Sequence, residues 1–295
     1  MSETTPASRA RDAIVVAADA AGFGVHGLHV RIGDDSAVHR WTPDEREEIH
    51  SVAKGVSVLA AGIAQAEGLV DLDAPIAEYL DRGTALGAGV DSVTLRHLLT
   101  MSSGIDLPWS ETMMTDWPDL ATEFLSRDAR GRIFQYSNAS TYTAMTVLET
   151  RTGDVEQYLR PRLFAPLGID DLTWRRCPNG RILAGEGIAL RTEELARLGL
   201  LIRDRGRWHD RQLVPAEVVD AMHTGWGDAG GGVGYERYAL AGWDGPGEAW
   251  RLHGAYGQLL IFLGDAVVTI SADDHFGADA IALAVADILA AVGDA

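Results

Sequence analysis

Ser51 and Lys54 stand three residues apart in the run Ser51–Val52–Ala53–Lys54–Gly55. On a helix that spacing puts both side chains on one face, within contact of each other. A serine hydroxyl is a weak nucleophile until a neighbouring base takes its proton. Lysine serves as that base where burial and nearby positive charge favour the free amine, whereas arginine stays protonated. Of the 25 basic residues, Lys54 is the one lysine and the rest are arginine. The plain alternative is a solvated lysine beside a helix-capping serine. The apolar flanks Val52, Ala53, Val56, Val58 and Leu59 argue against it.

Two further segments carry polar groups suited to acyl transfer. Tyr136–Ser137–Asn138 lies between a short apolar stretch and a helical one. A phenol near an ammonium can relay a proton, so Tyr136 is a candidate for protonating a leaving group and then activating water. Asn138 offers a donor and an acceptor, enough to orient both Lys54 and a substrate amide. Alone, this tripeptide reads as a turn with a half-buried Tyr and a capping Asn. The third segment is Leu252–His253–Gly254–Ala255–Tyr256–Gly257–Gln258, between two strand-like runs. Gly254 lets a substrate approach the backbone closely. The N–H groups of Ser51 and Ala255 are candidates for an oxyanion hole, and His253 and Gly254 for substrate binding. As a lone residue, His253 reads as well as a strand-edge histidine.

The elements that must hold these residues follow from periodicity. Residues 7–21 read as a one-faced helix, and 25–32 and 36–41 as strands around a turn at Gly33. Val52 to Ala66 is apolar almost all round, so it reads as a buried helix stopped by Gly68. Shorter helices are expected near 74–80, 95–101, 118–127, 139–151 and 154–164, the last with a kink at Pro161. Thr192 reads as the cap of a helix running to about residue 203, and Pro215 fits the first turn of another. Strands are expected at 236–243, 249–253, 257–263 and 266–272, before a closing helix. Strands joined by such short turns form an antiparallel sheet that terminal helices can cover. Residues 1–43 and 206–295 would then form a sheet lobe and 44–205 a mainly helical one, within a single catalytic unit over 1–295. The active site is expected in the cleft between them.

Composition narrows the function. The chain has 295 residues, a net charge of -18 and one cysteine, Cys177. A field of that sign repels nucleic acids and anionic membranes, and one cysteine excludes a thiolate metal cluster or a disulfide framework. The opening MSETTPASRARDAIVV has no long apolar run before a small-residue cleavage site, so the expected location is the cytoplasm. There is no G-x-S-x-G elbow, and GGGVG lacks the setting of a dinucleotide fingerprint. His26, His29 and His39 read as structural, and no metal or cofactor is expected. Trp109, Trp226, Trp243 and Trp250 are candidates to line an apolar pocket, with ordinary packing the plainer role.

Taken in order, these segments resemble the serine β-lactamases and penicillin-recognising enzymes, especially the branch of class C β-lactamases, D-alanyl-D-alanine carboxypeptidases and related esterases. HSVAKGVSVLAAGIAQAEGLVDLDAPIAEYL resembles the first motif and its helix, VTLRHLLTMSSGI the segment after it, and YSN the tyrosine motif. Similarity continues through LFAPLGIDDLTW, ALRTEELARLGLLIRDRGRW and HGAYGQLLIF, over about residues 45–272. The resemblance implies an α+β fold of β-lactamase/transpeptidase type. It implies that Ser51 is acylated, Lys54 is its base partner, Tyr136 the general acid/base and Asn138 the amide-binding residue. The family's third motif begins with Lys or His, then a small residue, then Gly. Gly254 matches that Gly, which puts Leu252 first and His253 second; a shift of one would put His253 first and lose the Gly. The expected activity is hydrolysis of a small ester or amide through an acyl-enzyme. A β-lactamase or D,D-peptidase, a silent penicillin-recognising sensor and an acyl-transfer biosynthetic enzyme stay open, as do the natural substrate and the oligomeric state.

Overall fold

Thr5 caps the first helix, α1 (Pro6–Ala21), through its hydroxyl, Pro6 suits its first turn, and Gly22 ends it at φ 63°. The computed structural model describes residues 5–107, 119–232 and 234–293. Strands β1 (Val25–Ile32) and β2 (Asp35–Arg40) form a hairpin whose two-residue turn uses Gly33 at φ 55°. A short strand, β3 (Glu47–Glu48), leads into the 3-10 turn His50–Val52 and then α2 (Ala53–Ala66). Every residue of α2 from Ala53 to Ala64 is buried, as its all-round apolar sequence requires.

Among the described residues four helices follow: α3 (Leu95–Leu99), α4 (Leu120–Ser126), α5 (Asn138–Thr152) and α6 (Val155–Leu159). Helix α5 packs against α2 and the other three. The irregularity expected at Pro161 takes the form of one wider, π-type turn, Arg160–Phe164, directly after α6. Strands β4 (Thr173–Trp174) and β5 (Ile188–Leu190) join β3 in a small sheet ordered β3-β5-β4. Strands of two or three residues carry no readable alternation, so this sheet is absent from the sequence expectation.

Helix α7 (Thr192–Arg203) corrects the expected cap. Thr192 is its first helical residue, not its cap. Glu194 reaches back to the Arg191 N–H at 2.9 Å, closing the helix end, while the Thr192 hydroxyl donates to Ser271 at 3.0 Å and accepts from Arg40 at 2.6 Å. The hydroxyl therefore ties α7 to the sheet. A hairpin, β6 (Arg207–Trp208) and β7 (Arg211–Gln212), and the short α8 (Ala216–Asp220) precede the last strands. Those are β8 (Gly227–Asp228), β9 (Arg237–Tyr238), β10 (Trp243–Asp244), β11 (Trp250–Gly254), β12 (Gln258–Leu263) and β13 (Ala266–Ala272), before α9 (Ala278–Gly293). The run 236–243, expected as one strand, is two. Trp243 folds back to pair with Tyr238, because Ala241 turns at φ 62° and Gly242 lies where a Cβ would overlap the Met222 carbonyl.

The main sheet is eight-stranded and ordered β2-β1-β13-β12-β11-β10-β9-β8. Its pairings are antiparallel, as expected for an α+β fold of this kind. Alternation along β12 divides the core. Leu259 and Ile261 face α1 and α9 with Ile14, Ile281 and Val285, while Leu260 and Phe262 join the core built on α2 and α7. Among the described residues no helix is long and apolar enough to cross a membrane.

Candidate active site

Ser51 lies in the 3-10 turn and Lys54 one turn on in α2, so chain continuity alone brings them together. The Lys54 Nζ is 2.9 Å from the Ser51 Oγ, and the residue is 2 % exposed. Two more acceptors surround the amine: Asn138 Oδ1 at 2.6 Å and the Gly185 carbonyl at 3.0 Å. An ammonium has three N–H donors, and these three oxygens meet them. A neutral amine has two N–H donors and one lone pair. Asn138 and Gly185 accept the two donors, and the lone pair is left for the Ser51 hydroxyl, which can reverse its role and donate. The cage thus accommodates both protonation states without moving, as a proton-accepting base requires.

Asn138 is the first residue of α5, whose cap is Ser137. Tyr136 precedes that cap, and its ring centroid is 4.8 Å from the Lys54 Nζ. The ring is set edge-to-face on Tyr238, at 5.9 Å, and lies 5.6 Å from Trp243. Tyr238 is buried, and that burial, with Tyr136 beside it, pushes its phenol well above the usual value, so it stays neutral. Trp243 takes the plainer role, packing among Tyr136, Tyr235 and Tyr238. Trp250 instead stacks between His223 and Phe262, and Trp109 lies outside the described residues.

Two site residues have no signal in the sequence. Gly185 presents its carbonyl to Lys54, and a Cβ there would lie 2.9 Å from Asn138 Oδ1 and 3.2 Å from Lys54 Nζ. Glu186 accepts from Asn138 Nδ2 at 3.1 Å. Both sit on the loop entering β5, about 130 residues from Lys54, where no spacing rule operates. The histidines set aside above also gain a partner: His26 lies 2.8 Å from Glu47.

The third segment closes on the turn that carries Ser51. At Gly254 a Cβ would overlap the Ile49 carbonyl and come within 3.3 Å of Val52, so only glycine lets β11 end against this turn. Ala255 follows at once, which brings its backbone beside the Ser51 segment. Alternation then sends the two preceding side chains opposite ways. Leu252 packs onto α2, at the position where Gly55 leaves room for it. His253 turns to Tyr235, whose hydroxyl is 3.0 Å from its Nδ1, and to Arg251, whose Nε is at 3.3 Å. Burial, then the Arg251 charge, holds the His253 pKa down at about 4. It is therefore neutral at pH 7, and neither Leu252 nor His253 presents a positive charge.

That depression has a measurable consequence. Unfolded histidine takes a proton near pH 6.5, whereas folded His253 resists until about pH 4, so acid favours the unfolded chain. The share of stability due to His253 is intact above pH 6.5 and falls across the window down to about 4. The full loss is about 3 kcal/mol. Urea unfolding of the wild type and of His253→Gln, at pH 7 and 4.5, checks this: the variant is expected to lose less on acidification. An equal loss would contradict it.

The fold that sets this serine–lysine pair at a helix start, closed by the end of an antiparallel strand, is that of a β-lactamase-fold hydrolase. The chain belongs to the Beta-lactamase family, whose model matches residues 13–287. It is 28 % identical over 207 residues to a 6-aminohexanoate-dimer hydrolase from Paenarthrobacter ureafaciens, covering 63 % of this chain. The chain spans about half (52 %) of that relative's length. In fold it is similar to a penicillin-binding protein homologue from Caulobacter crescentus (TM-score 0.76, 14 % identity, 97 % of each chain). It is also similar to a family VIII carboxylesterase (TM-score 0.72, 13 % identity, 96 % of this chain and 97 % of the other).

Proposed function

We propose that the chain is a serine hydrolase that forms a covalent acyl-enzyme on small esters or amides, in the manner of the class C-like esterase branch. The observation that carries this is the buried Lys54 amine, 2.9 Å from the Ser51 hydroxyl and held by two other acceptors. In this reading Ser51 attacks the carbonyl as Lys54 takes its proton. The backbone N–H groups of Ser51 and Ala255 receive the developing oxyanion. Tyr136 passes a proton to the departing alcohol or amine, and Asn138 uses its second N–H on the substrate. Water, or another nucleophile, then releases the acyl group along the reverse path. The relative named as a 6-aminohexanoate-dimer hydrolase and the fold neighbour named as a carboxylesterase support amide and ester chemistry. The single cysteine supports a cytoplasmic location.

The third segment bears on the substrate. With Leu252 on α2 and His253 neutral against Tyr235, neither supplies a cation for a carboxylate beside the reacting carbonyl. This supports neutral substrates over β-lactams and peptide carboxylates. Turnover of short p-nitrophenyl esters, matching anilides and nitrocefin tests the reading. The ester kcat/KM is expected to exceed that of nitrocefin by about 100-fold or more, since an unpaired substrate carboxylate costs binding in both ground and transition states. Faster nitrocefin turnover would make the protein a β-lactamase. A label on Ser51 that forms and never clears would make it a sensor.

A further inference from the structure

We infer that Glu186 is a positioning residue: its contact with the Asn138 carboxamide reserves the Lys54 lone pair for Ser51. The inference rests on the acyl-enzyme reading above. A carboxamide is nearly symmetric in shape, with an acceptor on one side and two donors on the other. Asn138 stands between the Lys54 amine, 2.6 Å from its Oδ1, and the Glu186 carboxylate, 3.1 Å from its Nδ2. Turned over, it would set its oxygen against a carboxylate oxygen, which accepts only.

The consequence depends on the protonation state of Lys54. An ammonium rejects the inverted amide by itself, because two donors would face each other. A neutral amine does not, because its lone pair can accept from the inverted NH2. That lone pair is the one that must receive the Ser51 proton. Without Glu186, the state of Lys54 that does the chemistry is the state in which Asn138 is free to turn and occupy it.

Glu186 is itself held for this task. Its other carboxylate oxygen lies 3.2 Å from Arg175, which also reaches Glu48 at 3.3 Å. Its backbone carbonyl accepts from the Trp174 indole at 2.9 Å, and the next N–H, that of Gly187, donates to Glu48 at 2.9 Å. The preceding carbonyl, that of Gly185, is a ligand of the Lys54 amine. One short loop thus supplies a direct acceptor for the base and the group that orients its other acceptor.

The test is a double-mutant cycle read as the pre-steady-state rate of acylation by p-nitrophenyl acetate, with intact mass locating the adduct. Glu186→Leu is expected to slow acylation by about 10- to 100-fold, the scale of one hydrogen bond to a charged group. Glu186→Gln is also expected to slow it, because the new carboxamide can give its oxygen to Arg175 and its NH2 to an inverted Asn138 oxygen, and so no longer accepts only. In an Asn138→Ala background, Glu186→Leu is expected to cost less than about 2-fold, because there is no amide left to orient. A purely structural role would slow both backgrounds alike. Should the leucine variant fail to fold, Glu186→Ala gives the same comparison. Wild-type rates in Glu186→Leu, or equal losses in both backgrounds, would overturn the inference alone. A wild type that never acylates on Ser51 would instead overturn the acyl-enzyme reading, and the inference with it.

Discussion

Lys54→Met will slow acylation of Ser51 by about 1,000-fold, the contribution of a well-placed general base. Methionine has similar length and suits the apolar surroundings, so the fold is expected to persist. It leaves Asn138 Oδ1 and the Gly185 carbonyl without the donor they now share. The melting temperature should therefore drop by about 5 °C. Lys54→Arg separates charge from basicity. Arginine restores a cation and its donors but does not give up its proton, so it should be as inactive as methionine. Stopped-flow release of p-nitrophenol, with melting curves beside it, checks both. Substantial activity in the arginine variant would show that Lys54 acts only as a charge.

Gly254→Val is expected to cost about 100-fold or more in kcat, the scale of a displaced oxyanion donor. The new side chain meets the Ile49 carbonyl, which is backbone and cannot swing aside, and then Val52. Either β11 withdraws from the Ser51 turn or the turn itself shifts. Both separate Ala255 from Ser51. The sheet pairing further along β11, from Trp250 opposite Phe262 to Leu252 opposite Leu260, is remote from the clash and should hold. The variant should thus bind substrate near the wild-type KM and fail in the chemical step. Steady-state kinetics on a p-nitrophenyl ester checks this, and an unchanged kcat would remove Ala255 from the site.

What the sequence made legible follows the range of the interactions. Ser51 and Lys54 were readable because three residues on one helix is a local rule, and one lysine among arginines gave the pair weight. Helices α1, α2 and α5 were readable because their apolar faces or caps are local too. Glu186 was invisible for the opposite reason. Its value comes from Asn138, 48 residues away, and through it from Lys54. Thr192 misled because a hydroxyl before two glutamates looks like a cap, while its real partners, Arg40 and Ser271, belong to other strands. The break inside 236–243 was hidden because a close approach to Met222, a tertiary contact, sets where the chain must turn. Strand alternation separated Leu252 from His253, but only the packing on Gly55 and Tyr235 shows which wall each one meets.

The most direct measurement is rapid-quench intact mass with peptide mapping, after mixing enzyme with a p-nitrophenyl ester. In the wild type an acyl adduct should appear on Ser51 before steady state, as deprotonation by an amine 2.9 Å away requires. In Lys54→Arg, under the same conditions, no adduct should form on that time scale. An adduct on any other residue, or one on Ser51 growing at the wild-type rate in the arginine variant, would contradict the account.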